Sequence, residues 1–200
     1  METEKGILMP LSRPELIAPI CNIMLAGRPK SILDVGMGSG LYGFLARQYI
    51  DLWFRGSEEQ REDCLIDGIE IFPGYIGSVQ RKTYNTITTG DAMRVVPDIT
   101  RLYDMILLVD VIEHLSKEDG VKLVGLLRHC LEKSGGIILT TPRDFREQGV
   151  VFANEHERHV SHWTAKEIHD LGAYEYYIVS DHYQLALIGH ADMMKLVEVK

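Results

Sequence analysis

Two patterns of apolar and polar positions alternate along this chain. Short, nearly continuous apolar runs predict buried β-strands at 31–35, 65–69, 86–88, 105–109 and 137–140. Segments with helical spacing or helix-start signals lie before and between them and predict helices at 12–25, 41–53, 74–82, 120–131 and 164–172. Two β-rich runs, 174–179 and 184–189, flank a short turn near the end and predict a hairpin.

Three of the predicted helix starts carry a capping signal. In this signal a Ser or Thr is followed three residues later by an acidic residue, so that each side chain can bond the other's backbone N–H group. The pairs are Ser12 with Glu15, Ser116 with Asp119, and Thr164 with Glu167.

The helix predicted at 41–53 has an apolar face made of Leu41, Phe44, Leu45 and Tyr49. The polar segment that follows, 56–63, is predicted to be an inserted loop or a polar extension of this helix.

Alternating strands and helices with short connections indicate an α/β fold with a doubly wound, mainly parallel sheet. Counting the hairpin, we predict seven strands, with the C-terminal antiparallel hairpin at one edge. The whole chain, 1–200, forms one domain in this interpretation. It includes an N-terminal helical segment, 1–29, and a long irregular segment, 142–163, beyond the fifth strand.

Composition narrows the range of partners. The net charge is −8, which argues against nucleic acid or an anionic membrane as the main partner. No apolar run approaches the roughly 20 residues of a membrane helix, and the charged N-terminus does not resemble a signal peptide. Cys21, Cys64 and Cys130 are widely spaced, which suggests buried thiols in a cytoplasmic protein. Composition is also compatible with a homo-oligomer.

The glycine-rich loop after the first strand is the clearest functional signal. Glycines at a strand end allow a sharp turn and a close approach to a ligand. Residues 38–43 match G-x-G-x-x-G, so a dinucleotide site must be considered. Against it, the first glycine of that match lies three residues past the strand, and Asp34 lies within the strand end.

The segment Asp34-x-Gly36-x-Gly38-x-Gly40 resembles motif I of the class I S-adenosylmethionine-dependent methyltransferases. Glu70, Gly90-Asp91-Ala92 and Asp110-Val111-Ile112-Glu113-His114-Leu115 resemble the family's segments at the next three strand ends. The last of these is similar to the small-molecule branch. The resemblance implies S-adenosylmethionine as cofactor, bound by Asp34, Gly36, Met37, Gly38, Gly40, Glu70, Ile71, Asp91, Ala92, Asp110 and Val111.

The activity implied is methyl transfer to an oxygen or nitrogen of a small-molecule acceptor, such as a sugar or a natural-product metabolite. No [DNS]-P-P-[YF] segment follows the fourth strand, which disfavours the methyltransferases that modify nucleic-acid amino groups. Two alternatives are a non-catalytic S-adenosylmethionine-binding protein and an NAD-binding oxidoreductase. We expect acceptor contacts in 142–163, where Arg143, Arg146 and Arg158 could bind an anionic group.

An acceptor must also lose a proton, and histidine suits that task near neutral pH. We favour His159, followed by His156 and His114. Spacings of three along an extended loop suggest that these residues and His162 cannot all face one site. The set Asp110-x-x-Glu113-His114 with His156 or His159 resembles a cation site of some O-methyltransferases. Because that site has Glu where this chain has Asp110, we assign no metal.

Overall fold

Seven strands form a single sheet in the computed structural model, which describes residues 11–53, 63–151 and 153–189. The strands are β1 Ser31–Val35, β2 Leu65–Glu70, β3 Thr86–Thr89, β4 Tyr103–Val109, β5 Leu131–Pro142, β6 Ala173–Ile178 and β7 Tyr183–Gly189. Their order is β3-β2-β1-β4-β5-β7-β6. Strands β1 to β5 pair in parallel, and β7 is antiparallel to both β5 and β6. The predicted fold class is confirmed.

Six α-helices accompany the sheet within the described residues. They are α1 Pro14–Gly27, α2 Leu41–Ala46, α3 Ser78–Thr83, α4 Ala92–Val95, α5 Lys117–Arg128 and α6 Ala165–Asp170. A π-helical turn, Arg47–Leu52, continues α2. No helix in this part of the chain is long and apolar enough to cross a membrane.

Buried side chains cover both faces of the sheet. In β4 the neighbours Ile106 and Leu107 belong to opposite clusters, because successive strand side chains point to opposite faces. Helices α1 and α2 pack on one face and α5 and α6 on the other. This double coverage explains why the central strands appear in the sequence as unbroken apolar runs.

Two of the three predicted helix caps are present, but of these pairs only Thr164 and Glu167 form the reciprocal box, since Asp119 Oδ2 accepts from the Ser116 hydroxyl instead. Ser116 and Thr164 each accept a hydrogen bond from the backbone N–H group three residues later. The prediction for Ser12 was wrong. Helix α1 begins at Pro14, and its extended N-cap residue is Arg13, which makes no side-chain cap bond. Proline is favoured at this first position because its missing N–H group has no partner there in any case.

The predicted apolar face of the helix at 41–53 was half wrong, because Leu41 and Leu45 pack against the core whereas Phe44 and Tyr49 are exposed. Phe44 is 45% exposed and Tyr49 is 37% exposed, whereas Tyr42, Ala46 and Ile50 are buried. The helix is turned this way because its Gly43 face lies directly against the Tyr84 ring. Most of the predicted inserted loop, 56–63, lies outside the described residues.

Two further regions depart most from the predicted element boundaries. The helix predicted at 74–82 is a 3-10 turn, Pro73–Tyr75, followed by α3. Helix α5 ends at Arg128, earlier than predicted, and β5 begins at Leu131. The early start of β5 follows from pairing, because Leu131 lies opposite Tyr103 at the start of β4.

Candidate functional site

A cavity of about 400 Å³ opens at the carboxyl end of the parallel strands, within the usual range for small-molecule sites. Strand β1 has β2 on one side and β4 on the other, so chain connections leave in opposite directions at this point. Ligands of doubly wound sheets bind at such a switch point. The segments that follow β1, β2, β3 and β4 all contribute to the wall.

The glycine loop forms the wall next to β1. Gly36, Gly38 and Gly40 have φ angles of 73°, 49° and 77°, in the left-handed region that favours glycine. A Cβ atom on Gly36 would lie 2.6 Å from Val111 Cγ2, so no side chain fits there. Of the loop residues predicted to contact a cofactor, Gly36, Met37 and Gly38 line the cavity, whereas Gly40 is not among the lining residues and instead leads into α2.

Tyr84 is hydrogen-bonded to the strand end from which this loop starts. Its hydroxyl donates a 2.5 Å hydrogen bond to Asp34 Oδ2 at the end of β1. Burial raises the pKa of Asp34 to about 7, although the bond from Tyr84 acts in the opposite direction and nearby Glu70 adds to the rise. Sequence reasoning missed Tyr84. The sequence signal that could have pointed to it is the pair of glycines that face its ring. A Cβ atom added at Gly43 or Gly68 would lie 2.4 Å or 2.9 Å from the Tyr84 ring.

Both backbone groups of Gly38 are hydrogen-bonded to side chains. Its N–H donates to Glu70 Oε2 at 2.9 Å, and its carbonyl accepts from Gln80 Nε2 at 2.8 Å. Glu70 Oε1 accepts from the N–H of Phe72 at 2.8 Å. A carboxylate has about four acceptor positions, so Glu70 keeps capacity for a ligand. Burial raises its pKa, and these backbone bonds oppose the rise.

The segment after β3 begins a short helix. Asp91 caps α4 by accepting the N–H of Met93 at 2.9 Å through Oδ1. Asp91, Ala92 and Met93 line the cavity on the side away from β4, together with Ile71 from the end of β2. Only one oxygen of Asp91 is used in the cap.

Asp110 occupies a strained turn at the end of β4. It has φ of 54°, which is uncommon for any residue other than glycine. Thr140 on β5 holds it there, because its hydroxyl donates to Asp110 Oδ1 at 2.8 Å. Burial raises the pKa of Asp110, while bonds from Thr140 and Ser12 oppose the rise. The Ser12 hydroxyl therefore lies in the site rather than at a helix cap, which no local signal indicated.

The predicted catalytic histidines meet at the other end of the cavity. His114, His156 and His159 all line it, whereas His162 does not and instead bonds the carbonyl of Arg143 through Nε2. His156 and His159, on either side of the end of the 3-10 turn Glu155–Glu157, both line the cavity, and His162 does not, in keeping with the expectation that the four histidines cannot all face one site. The His114 and His159 rings are 4.9 Å apart, and burial lowers the pKa of both.

Three further residues near this end were missed by sequence reasoning. Tyr75 donates a 2.9 Å hydrogen bond to Glu157 Oε1, and Asn154 donates to the same oxygen at 3.3 Å. All three line the cavity. Tyr75 lies 82 positions before Glu157 in the chain, and the three residues share no motif. Of the three arginines expected near an acceptor, Arg146 lines the cavity, and Arg143 and Arg158 are not among the lining residues.

No family model matches the chain, and no curated protein does. Solved structures with a similar fold are numerous. One is an O-methyltransferase family protein from Burkholderia thailandensis, 12% identical, with a TM-score of 0.61 over 87% of this chain and 55% of that one. This chain therefore spans about half the length of the Burkholderia protein.

Two other similar structures contain S-adenosylhomocysteine. The magnesium protoporphyrin IX methyltransferase from Synechocystis is 15% identical, with a TM-score of 0.59 over 88% of this chain and 83% of that one. An N-methyltransferase from Bradyrhizobium japonicum is 13% identical, with a TM-score of 0.58 over 88% of this chain and 87% of that one. This chain has the fold that these methyltransferases share.

Proposed function

We propose that this chain transfers a methyl group from S-adenosylmethionine to an oxygen or nitrogen of a small-molecule acceptor. One observation carries the proposal. The four segments whose sequences resemble methyltransferase motifs end four strands, β1 to β4, and line one cavity at the switch point of the sheet. The shared fold supports the same conclusion.

Each wall of the cavity suits one part of the donor. The backbone of Gly36 and Gly38 would face the methionine portion, with Asp34 and Met37 on the same wall. Gly40 turns the chain into α2. Glu70 and Ile71 would contact the ribose, since Glu70 retains acceptor capacity. Asp91 and Ala92 would contact the adenine, and Asp110 and Val111 would lie beside the reacting centre. These roles are proposals that the strand-end positions support.

In the reaction, the acceptor atom forms a bond to the methyl carbon while the carbon–sulfur bond breaks. The bonding electron pair stays on sulfur, which leaves as the neutral thioether of S-adenosylhomocysteine. The acceptor's proton passes to a base, and His159, His156 and His114 line the wall where an acceptor would enter. The main contribution of the protein is to hold acceptor, methyl and sulfur in line, which can lower the barrier by several kcal/mol.

A small acceptor fits the charge and the cavity better than nucleic acid does. The net charge is −8, and a cavity of about 400 Å³ suits a ligand of small-molecule size. The segment 142–163 would contact the acceptor, with Arg146 on the cavity wall. All three cysteines are buried thiols, in keeping with the proposed cytoplasmic location.

Calorimetry with S-adenosylhomocysteine and NAD⁺ tests the donor. We expect one S-adenosylhomocysteine site per chain, weakened at least tenfold by Glu70→Ala, which removes a loop contact and a ligand acceptor together. The control Glu118→Ala changes an exposed residue on α5 and should bind like the unchanged protein. Binding of NAD⁺ alone would overturn the proposal in favour of an oxidoreductase.

Methyl transfer itself is tested by incubating labelled S-adenosylmethionine with a panel of small hydroxyl and amine acceptors. We expect label in at least one acceptor class, and S-adenosylhomocysteine formed in equal amount. Cofactor binding without transfer to any member would favour the non-catalytic binding protein.

A further inference from the structure

Three side chains that commonly bind metals converge at the acceptor end of the cavity. Glu113, His114 and His159 each have a ligand-type atom within 4.8 Å of those of the other two. Glu113 and His114 lie in the 3-10 turn Ile112–His114 after β4, and His159 comes from the segment after β5. His159 follows the other two by more than 40 positions in the sequence, and only the fold brings it to them.

Both imidazoles are oriented by backbone carbonyl groups. His114 Nδ1 lies 3.0 Å from the carbonyl oxygen of Arg158, and His159 Nδ1 lies 2.8 Å from that of Arg146. A carbonyl oxygen can only accept, so each Nδ1 must carry the proton, and each Nε2 keeps its lone pair. Metal-binding histidines are typically fixed in this manner, with one ring nitrogen bonded to a carbonyl and the other directed at the ion.

Glu113 supplies the negative charge that such a site needs. Its side chain is buried, with 3% exposure, and its Oε2 has no hydrogen-bond partner of normal geometry within the described part of the chain. The Thr141 hydroxyl is near enough to lower the pKa of Glu113 but is itself unpaired by the same geometry. Buried polar atoms are nearly always paired, because an unpaired one loses its hydration without compensation. The nearby carboxyl groups of Asp110 and Glu157 add negative potential at Glu113. A cation at this point would satisfy the unpaired oxygen and offset the charge.

We propose that Glu113, His114 and His159 bind one divalent transition-metal ion, with its remaining positions open to the cavity. Two imidazoles and one carboxylate suit Zn²⁺, Mn²⁺, Fe²⁺ or Co²⁺ better than Mg²⁺ or Ca²⁺, which prefer oxygen ligands alone. Three protein ligands leave room for water or a substrate oxygen, as in catalytic rather than structural metal sites.

This inference departs from the sequence-based expectation of no metal. It also differs from the sequence-spaced set, because Asp110 is engaged by Thr140 and is not part of the cluster. His156 lines the cavity outside the cluster, so it remains available to take a proton when His114 and His159 hold the ion.

The ion also specifies an acceptor class, and this step rests on the proposed function. A metal ion at the cavity wall would bind and orient an acceptor oxygen and make a hydroxyl proton easier to remove. The acceptor would then be a hydroxyl compound, preferably one with a second oxygen nearby to complete the coordination.

Metal binding is tested on the full chain after removal of adventitious metal with a chelator. Co²⁺ is the probe, followed by calorimetry and by its visible absorption. We expect one Co²⁺ per chain, and at least about 100-fold weaker binding in Glu113→Gln and His159→Gln, since even an outer-shell partner contributes about 10- to 100-fold. No stoichiometric Co²⁺ binding, or equal binding in the variants, would overturn the site.

The matched control is His129→Gln. His129 also has Nδ1 near a backbone carbonyl, 2.8 Å from that of Gly125, but it is exposed and lies outside the cavity. We expect its Co²⁺ affinity to equal that of the unchanged protein. Circular dichroism checks that each variant folds, and if Glu113→Gln does not fold, His159→Gln decides alone.

S-adenosylhomocysteine binding separates the two proposals. The metal ligands lie at the acceptor end, so His159→Gln should keep its S-adenosylhomocysteine affinity while losing Co²⁺. Co²⁺ binding without S-adenosylhomocysteine binding would uphold the metal site and overturn the proposed methyl donor. Cofactor binding without Co²⁺ binding would do the reverse.

Discussion

Tyr84 connects three elements around the glycine loop. Its ring lies beside Gly43 on α2 and Gly68 on β2, and its hydroxyl bonds Asp34 on β1. A side chain at either glycine would push the ring away from Asp34. The two glycines are therefore required by packing against a residue that is distant in sequence, in addition to any role in a turn.

Replacing Gly43 with alanine tests this packing against a matched helical glycine. A Cβ atom at Gly43 would lie 2.4 Å from Tyr84 Cζ, and at Gly125 it would meet nothing within 4 Å. We expect Gly43→Ala to lower the free energy of unfolding by about 1–3 kcal/mol through overpacking. Gly125→Ala should raise it by about 0.5–1 kcal/mol, because alanine is the better helix former. Urea denaturation measures both, and similar changes in the two variants would contradict the role of Tyr84.

Burial of Asp34 should make stability depend on pH. Its pKa rises from 3.8 to about 7 in the folded chain, so between those values the folded state binds more protons than the unfolded state. The contribution of Asp34 to stability is fully present below about pH 4 and is lost as pH rises towards 7, with a total change of up to about 4 kcal/mol. Glu70, Tyr42 and Tyr84 surround the same carboxyl and are present in both proteins compared in the experiment.

The comparison is between the unchanged protein and Asp34→Asn, by urea denaturation from pH 4.5 to 8. Asparagine keeps an oxygen for the Tyr84 hydroxyl but does not ionise. We expect a flatter stability profile in Asp34→Asn. Asp98→Asn changes an exposed residue and should leave the profile as it is. Parallel profiles for Asp34→Asn and the unchanged protein would show that Asp34 does not cause the dependence.

Elements are joined at their ends by short-range bonds that the sequence partly reveals. At the start of α6, Thr164 Oγ1 accepts the N–H of Glu167 at 3.3 Å, and Glu167 Oε2 accepts the N–H of Thr164 at 2.8 Å. Glu167 also pairs with Lys117 on α5 at 2.6 Å. The capping box thus fixes where α6 begins, and the ion pair of Glu167 with Lys117 adds a contact to α5.

Thr164→Ala removes one half of the box. We expect a loss of about 1 kcal/mol in the free energy of unfolding, the usual value for an N-cap substitution. Thr100→Ala is the control, since Thr100 is exposed and outside any helix, and it should change stability by less than about 0.5 kcal/mol. Chemical denaturation of both variants decides, and equal small effects would mean that the cap contributes nothing measurable.

At the scale of the whole molecule, the proposed donor site lies where the segments after four strands meet. A ligand there contacts segments that follow β1, β2, β3 and β4, so it should stabilise the fold as a unit. Binding to the folded state alone adds about 2.7 kcal/mol at a ligand concentration 100 times Kd.

We therefore expect S-adenosylhomocysteine to raise Tm by about 5–11 °C at that concentration, given about 2–4 °C per kcal/mol for a chain of this size. NAD⁺ at the same concentration should leave Tm unchanged. Differential scanning calorimetry measures both. A shift with NAD⁺ and none with S-adenosylhomocysteine would contradict the proposed donor.

Much of the fold could be predicted because its signals are local. Apolar runs gave all five parallel strands, and turn residues between two β-rich runs gave the hairpin. The glycine loop and the acidic residues Glu70, Asp91 and Asp110 were recognisable because parallel strands place their carboxyl ends at one edge. Errors came where one local pattern was compatible with two structures. Ser12 fits a helix cap but lines the cavity, and Phe44 fits a buried helix face but is exposed to solvent.

The sequence by itself determined the layered α/β architecture and the order of candidate segments along the chain, since hydrophobic periods and glycine turns act over a few residues. Only the tertiary structure decided which distant side chains meet. It brought Tyr84 to Asp34 and His159 to Glu113 and His114. Such contacts depend on how whole elements pack, and no short pattern in a single sequence records the distance between residues that are 40 or 50 positions apart.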